Sequence, residues 1–465
     1  MSKPIQIQIL LTLFLCISVY SQNTITGTFA GLANQSIKLA GFGGFDNYSI
    51  DSVKANDKGF FTIPFAKKDY GMGYLSAQDN KPFIVVLSEE GLTIKGETFT
   101  NPESIKILQG YENQEFEQFA KEHVRREQAL SAWVYLEKIY TLDSLFSVQK
   151  TPTQAIADEM NRIKTEDSLF LAGLKTDSYV HWYLPLRKLV SAVSTIAQYR
   201  TKEIPAAMAS FRNIDYADNR LYHSGLLRDV IDSHFWLLEN SGRSLDSVYV
   251  EMKKSIDCMV NSLLGNDTRM NEITEYLFKL LERRSLFQAS EYLALRLLNE
   301  KSCTLHNDFA SQLESYRAMK KGNIAPEIAF APDIIAPGYN PAAIPRKLAD
   351  IQNKYTIIVF GASWCNACVD ELNAITGLYH KWKSNGFEVV FVSLDDNKQA
   401  FSSFAAKFPF ISVCDFKKWE SPVVKNYHIF ASPTMFLLDY KREIILRPNS
   451  AKHVDAWIDW FLKKT

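Results

Sequence analysis

Three patterns of apolar and polar positions follow one another along the chain. From residue 22 to about residue 110, apolar residues alternate with polar ones or run in short stretches. These are Thr24–Phe29, Ser36–Ala40, Tyr48–Val53, Phe60–Pro64, Phe83–Leu87 and Leu92–Lys95. Turn-forming stretches such as Asn56-Asp57-Lys58-Gly59 and Glu89-Glu90-Gly91 separate them. Short strands at regular spacing predict an antiparallel β-sandwich over 22–110. From 111 to 321 the apolar period becomes helical. Phe116, Phe119, Val124, Leu130 and Trp133 recur at that spacing, as do Leu277, Leu280, Leu281, Leu293 and Leu297. Glycine and proline are sparse here, and Thr151-Pro152, Asp177-Ser178, Ser244 and Asn266-Asp267 are candidate helix starts. Roughly eight to ten helices in an irregular bundle are expected. No fixed-period repeat supports tetratricopeptide-like stacking.

The third pattern covers 322–465. A segment rich in Pro and Ala, from Gly322 to Pro345, reads as a linker. Beyond it, apolar runs at Tyr355–Phe360, Phe387–Leu394 and Met435–Leu438 read as strands, the first of them feeding the first turn of a helix. That order predicts an α/β domain. Ahead of all three, residues 1–21 read as a secretory signal peptide. Lys3 supplies the positive end, Ile9–Val19 the apolar run, and Val19-Tyr20-Ser21 a site for cleavage before Gln22. The apolar run is shorter than the about 20 residues a membrane span needs. Cys16 would suggest a lipoprotein, but bulky Phe14 and Leu15 fit that cleavage badly. An exported, periplasmic chain is expected.

The composition narrows the partners. The chain has 465 residues, with 52 basic against 52 acidic side chains, and no basic block stands out. That argues against nucleic acid and other polyanions as partners. The length alone suggests about three domains. The tryptophans and tyrosines of the helical stretch, including Trp133, Trp182, Tyr183 and Trp236, read as core. His181, His223, His234 and His306 share no ligand spacing, so no metal is expected.

The chemistry concentrates at Trp364-Cys365-Asn366-Ala367-Cys368, preceded by the run ending at Phe360 and the turn Gly361-Ala362-Ser363. A buried strand feeding the first turn of a helix puts Cys365 at the helix N-terminus, where unpaired N–H groups favour a thiolate. Cys368, one turn on, is within reach for a disulfide. Half of a zinc site would need a second Cys or His pair at ligand spacing, and the other cysteines and histidines are scattered singly. Cys258 and Cys303 lie on predicted helices, paired with each other or as separate buried thiols. Cys414, at the end of a predicted strand, reads as a buried spectator.

Ser432-Pro433-Thr434 precedes the run Met435–Leu438, the turn Asp439–Arg442 and a further strand, Glu443–Leu446. With the two cysteines, this resembles the thioredoxin superfamily over 322–465, and within it the periplasmic thioredoxin-like disulfide reductases and the tryparedoxin and nucleoredoxin group. The resemblance implies a C-terminal thioredoxin fold with a cis Pro433 opposite the cysteines. It also implies a thiol–disulfide oxidoreductase that needs no cofactor. Cys365 would attack, Cys368 would resolve, Trp364 would cover the sulfurs, and Ser432 with Pro433 would bind substrate. Glu371, three residues after Cys368, matches the proton-accepting Glu of the envelope reductases, although Asn373 stands where they carry Pro. The dipeptide Asn366-Ala367 departs from relatives with Pro before the second Cys. Thioredoxin's buried Asp is Val359 here. Peroxidase chemistry, which in the related families needs Pro and Thr or Ser at positions held by Ile358 and Ala362, is not expected. The stretch Ile50–Val53 with Gly59-Phe60-Phe61 resembles the β-rich N-terminal domain of Gram-negative envelope proteins. The partners implied are disulfide-bearing envelope proteins, apocytochrome c among them, and a membrane thiol–disulfide electron donor. The alternative is an envelope scaffold or glycan-recognition protein with a minor redox module.

Overall fold

A computed structural model describes residues 23–462, apart from 79, 80, 285, 303, 331 and 430. The expected signal peptide, with its expected cleavage site at Ser21–Gln22, and the candidate thiol Cys303 lie outside the described residues. The chain divides between Arg243 and Ser244 into two compact units. The division falls inside the helical stretch rather than at either of its ends. No helix among the described residues is long and apolar enough to cross a membrane.

The first unit begins with eight strands: β1 (Asn23–Phe29), β2 (Ser36–Gly43), β3 (Asp46–Lys54), β4 (Phe60–Phe65), β5 (Gly71–Ser76), β6 (Phe83–Leu87), β7 (Leu92–Gly96) and β8 (Lys106–Gln109). They form two four-stranded sheets, ordered β4-β1-β7-β8 and β3-β2-β5-β6. Ile25 and Phe29, Ile37 and Leu39, Phe61 and Ile63, and Val85 and Leu87 alternate inward into one shared core. The turn Asn56–Gly59 forms as its residues dictate. Asn56 Oδ1 accepts from the N–H groups of Lys58 and Phe60, both at 2.9 Å. Gly59 has φ +74°, and a Cβ there would lie 1.9 Å from the Phe29 carbonyl oxygen, so only glycine fits.

Two features differ from the expectation. β5, with Gly71 and Gly73, and the short polar β8 carry little alternation and were not predicted as strands. The sheets are also not wholly antiparallel, because β1 runs parallel to β7. The chain passes from one sheet to the other in the four residues between β6 and β7, so no hairpin sets the direction of β7.

Six helices complete this unit: α1 (Tyr111–Leu142), α2 (Lys150–Ala172), α3 (Tyr179–Gln198), α4 (Ile204–Arg212), α5 (Asn219–Tyr222) and α6 (Leu227–Glu239). Ser178 caps α3 by accepting from His181 N at 3.3 Å. Asn113 of α1 explains why the unit does not end at residue 110. Its side-chain amide donates to Val86 O and accepts from Val86 N, both at 2.8 Å, occupying the open edge of β6 as a further strand would.

The second unit opens with α7 (Leu245–Ser262), α8 (Asp267–Arg283), α9 (Phe287–Leu298) and α10 (Asn307–Ala318). Among the described residues, ten α-helices thus lie between Tyr111 and Ala318, within the expected range. Leu277, Leu280, Leu281, Leu293 and Leu297 are all buried, as their spacing requires. The remainder is β9 (Asp333–Ile335), β10 (Tyr355–Gly361), α11 (Asn366–Ser384), β11 (Phe387–Ser393), α12 (Lys398–Ala405), β12 (Ile411–Cys414), α13 (Pro422–Asn426), β13 (Thr434–Asp439), β14 (Ile444–Leu446) and α14 (Ala451–Leu462). The strands make one sheet, β14-β13-β10-β11-β12-β9. β10, β11 and β12 are parallel; β13, β14 and β9 run against their neighbours. This is the thioredoxin-like arrangement.

Every residue of β10 and β11 is buried, because both faces of the sheet are covered. Ile357, Val359, Val389 and Phe391 meet Leu372, Ile375 and Trp382 of α11 and Val454 and Ile458 of α14. Ile358, Phe360, Val390 and Val392 meet Ala325, Ile328, Phe330 and Leu348 on the other side. The segment Gly322–Pro345 is therefore not a linker. Its apolar residues cover a sheet face that would otherwise be bare, and it pairs with the chain through Gly322 N to Ile444 O at 2.8 Å and Ala325 N to Arg442 O at 2.9 Å. Tyr339 O–H, in the same segment, reaches the fully buried Glu388 of β11 at 2.7 Å.

The helices of the first unit enclose a carboxylate. Asp167 lies 2.6 Å from His123 Nδ1, 3.0 Å from Lys188 Nζ and 3.1 Å from Arg126 Nη1. Burial by itself would raise its pKa; the hydrogen bonds from His123 and Lys188 outweigh burial and hold it at about 2. A folded-state pKa below the unfolded one stabilises above the unfolded value, and that stability is lost as pH falls through the folded value. Asp167→Asn should therefore destabilise the protein by about 2 kcal/mol near neutral pH. The deficit relative to wild type should narrow as pH drops from about 4 toward 2. Denaturant unfolding of both proteins across that range checks it; a deficit independent of pH would show that the charge is not what stabilises.

Candidate active site

β10 ends at Gly361, and the turn that follows closes with Cys365 N donating to Ala362 O at 3.2 Å. Cys365 then takes the N-cap position of α11, with extended φ −99° and ψ 104°. Its Sγ accepts from Cys368 N at 3.2 Å, as a capping side-chain oxygen would. Cys365 and Cys368 are disulfide-bonded, with Cα atoms 5.2 Å apart. The two sulfurs are unequal: Cys368 is fully buried, whereas Cys365 is partly exposed. Gly361 accounts for the depth of the inner one. A Cβ at Gly361 would stand 3.2 Å from both the Cβ and the Sγ of Cys368, so the bare backbone lets that cysteine settle onto the strand end.

Across from the pair, the Ser432–Pro433 peptide bond is cis, and Ser432 O lies 3.6 Å from Cys365 Sγ. Ser432 and Pro433 are half-buried. Trp364 projects into solvent with 51 % of its surface exposed, far more than an indole placed for packing retains. Glu371 sits one turn past Cys368 on α11. Its Oε2 accepts from Ala451 N at 2.8 Å, so the carboxylate also caps the first turn of α14. The structure thus brings Trp364, Cys365, Cys368, Ser432 and Pro433 to one end of the sheet, and ties Glu371 to the start of the last helix.

Two residues of this neighbourhood escaped the sequence reading. Gly361 reads there only as part of a turn, and Asp395 falls just past the run Phe387–Leu394. An acid directly after an apolar run, Ser393-Leu394-Asp395, was the available signal.

The remaining thiols differ from the pair. Cys414, at the end of β12, is buried; its Sγ–H donates to Asp395 O at 3.3 Å and its sulfur accepts from Phe416 N at 3.4 Å. Burial raises its pKa to about 11. Cys258 is a free, half-buried thiol.

One group of candidate metal ligands occurs among the described residues: His123 and Glu127 of α1 with Asp167 of α2. Cations already serve its carboxylates. Lys188 and Arg126 contact Asp167, and Arg200 Nη2 reaches Glu127 at 3.1 Å. A metal ion would have to displace two of these, so the group reads as an ion-pair cluster holding three helices together. His234 is buried against Phe211, ring centroids 5.0 Å apart, and burial lowers its pKa to about 3. It is a neutral core residue.

A cysteine pair at a helix N-terminus, ending the central strand of this sheet, defines a thiol–disulfide oxidoreductase. Residues 353–444 match the thioredoxin-like family model. The sporulation thiol-disulfide oxidoreductase A of Bacillus subtilis is 34% identical over 125 residues, which is 25% of this chain and 71% of that protein. The thiol-disulfide oxidoreductase ResA of Bacillus thuringiensis is 26% identical over 118 residues, 25% of this chain and 67% of that one. A thioredoxin-like protein from Bacteroides caccae has 15% sequence identity and a TM-score of 0.42, covering 59% of this chain and 94% of its own. The chain belongs to the thioredoxin-like family of thiol–disulfide oxidoreductases.

The environments of the thiols predict their reactivity. In the reduced, folded protein at pH 8, iodoacetamide should modify Cys365 rapidly. Cys414, whose pKa lies near 11, should react only after unfolding. Peptide mapping by mass spectrometry with time reads both; native modification of Cys414 at the rate of Cys365 would refute the assigned environments.

Proposed function

We propose that the chain is a cell-envelope thiol–disulfide oxidoreductase that reduces disulfides of other envelope proteins through Cys365 and Cys368. The observation that carries this reading is the inequality of the two sulfurs. Cys365 is accessible at a helix N-terminus with an N–H aimed at it, and Cys368 is enclosed. A nucleophile needs access and thiolate stabilisation, while a resolving thiol needs only to reach its neighbour.

The electron balance is closed by two exchanges. Cys365 thiolate attacks one sulfur of a client disulfide, forming a mixed disulfide and releasing the other client sulfur as a thiolate, which takes a proton. Cys368, deprotonated, then attacks Cys365 Sγ, forming the intramolecular disulfide and expelling the second client thiolate. The client gains two electrons and the pair loses two, so a membrane thiol–disulfide donor must reduce the pair again. No cofactor enters the cycle. Ser432 and Pro433 form the docking edge for an extended client segment beside Cys365, with the exposed face of Trp364 as its apolar contact. Glu371 takes the proton of Cys368. The signal peptide reading of residues 1–21 places this chemistry in the periplasm, with apocytochrome c among the clients. The β-rich domain 22–110, built as a sandwich, takes an interaction or scaffold role. A second reading makes 22–321 the principal part, as an envelope scaffold or glycan-recognition body with a minor redox module.

Trapping decides between them. Cys368→Ala retains the attacking sulfur but not the resolving one, so mixed disulfides should accumulate and vanish on reduction. Cys365→Ala should trap little. Non-reducing electrophoresis of envelope extracts with identification of the adducts reads the outcome: equal trapping by both variants overturns the assigned roles, and none with either favours the scaffold. Glu371→Gln keeps an acceptor for Ala451 N while removing the charge. It should slow resolution several-fold near neutral pH and leave the first attack unchanged; identical rates at every pH would reduce Glu371 to a helix cap.

A further inference from the structure

The turn that presents Cys365 is held from below by a buried carboxylate. Asp395 follows β11 and is 1 % exposed. Its Oδ1 accepts from Ser363 Oγ at 2.6 Å, and Ser363 N–H lies 3.3 and 3.2 Å from its two oxygens. Ser393 Oγ donates to Oδ2 at 2.6 Å and in turn accepts from Asp395 N at 3.1 Å. Leu394 N donates to Gly361 O at 2.8 Å, continuing the β10–β11 pairing one step beyond the strands and delivering Asp395 under the turn. The loop behind is pinned too, since Cys414 Sγ–H donates to Asp395 O.

Ser363 occupies the second position of the turn Ala362–Cys365, whose closing hydrogen bond runs from Cys365 N to Ala362 O. Two of the donors that satisfy the carboxylate therefore belong to the residue that orients the motif. An enclosed carboxylate costs several kcal/mol unless donors surround it.

We propose that Asp395 is a positioning residue of the redox reaction. By gripping the N–H and O–H of Ser363, it fixes the turn so that Cys365 Sγ stays over the N–H of Cys368 when the disulfide opens. It exchanges neither proton nor electron. The hydrogen bond it protects stabilises the Cys365 thiolate, so loss of the grip returns that thiol toward the ordinary cysteine pKa of about 8.5. The proposal rests on Cys365 being the attacking sulfur.

The test is the pH profile of Cys365 alkylation in the reduced full-length protein, read by peptide mapping, with equilibration of the pair against glutathione alongside. Asp395→Ala should move the Cys365 profile to higher pH by about one unit, slowing alkylation about tenfold below the thiol pKa. Asp395→Asn, which keeps an acceptor oxygen for Ser363, should recover most of the rate. Ser363→Ala, which loses only the Oγ contact, should lie between, and it carries the test with Asp395→Asn if the alanine variant does not fold. A merely structural role would lower thermal stability and leave the profile in place, which overturns the proposal. So does an Asp395→Asn profile displaced as far as that of Asp395→Ala, because charge rather than grip would then be at work. Failure of the underlying reading looks different: wild type itself would show neither a rapidly alkylated Cys365 nor a two-electron equilibrium with glutathione.

Discussion

The burial of β10 on both faces determines where the redox pair stands. Seven consecutive buried residues, Tyr355–Gly361, leave the chain no exit except at the strand's carboxyl end. There the turn must both leave the sheet and start α11, whose Leu372, Ile375 and Trp382 return to cover the same strand. The helix start is therefore anchored twice, by the strand before it and by the core contact after it. Cys365 inherits a fixed N-cap position from this, and Cys368 inherits its enclosure. Each buried Val, Ile or Phe contributes about 1.5–3 kcal/mol, so displacing the strand to move a sulfur would cost far more than a single hydrogen bond is worth.

Buried carboxylates mark the places where apolar packing alone does not settle position. Glu388, the second residue of β11, accepts from Tyr379 O–H at 2.8 Å, Tyr339 O–H at 2.7 Å and Lys383 Nζ at 3.2 Å. It fastens the segment before β10 and the end of α11 to the sheet. Asp167 gathers α1, α2 and α3 through His123, Arg126 and Lys188. Asp395 holds the turn of the cysteine motif. In each case directional bonds fix a geometry that interchangeable methyl groups would leave loose. The first two hold scaffold elements together, whereas the third grips Ser363, two residues before Cys365.

The family match and the candidate site occupy the same end of the chain. Residues 353–444 carry strands β10 to β13, the pair and the cis-proline turn. The rest of the second unit supports that sheet directly. Arg447 lies over the Tyr316 ring of α10, 4.2 Å from its centroid, and the segment after α10 pairs with β14. The first unit has its own core and its own buried ion cluster, and no redox pair among its described residues.

By itself the sequence determined whatever local chemistry controls. Alternation placed six of the eight strands of the first unit, and helical spacing placed the buried leucines of α8 and α9. The run before Gly361 with the two cysteines placed the pair at a helix start, because a strand, a small-residue turn and a helix are encoded within about a dozen neighbouring residues. Tertiary structure decided what depends on partners distant in the chain. Gly322–Pro345 has the composition of a linker but covers a sheet face, since apolar residues among prolines bury when a bare surface is available. β7 runs parallel to β1, a direction that alternation along either strand does not record. The helical stretch divides after Arg243, and Asn113 ties its first helix to β6. Glu371 caps a helix 80 residues away, and Asp395 grips a turn 32 residues before it. Those contacts are set by which ends of the sheet meet, and periodicity along the chain carries no record of that.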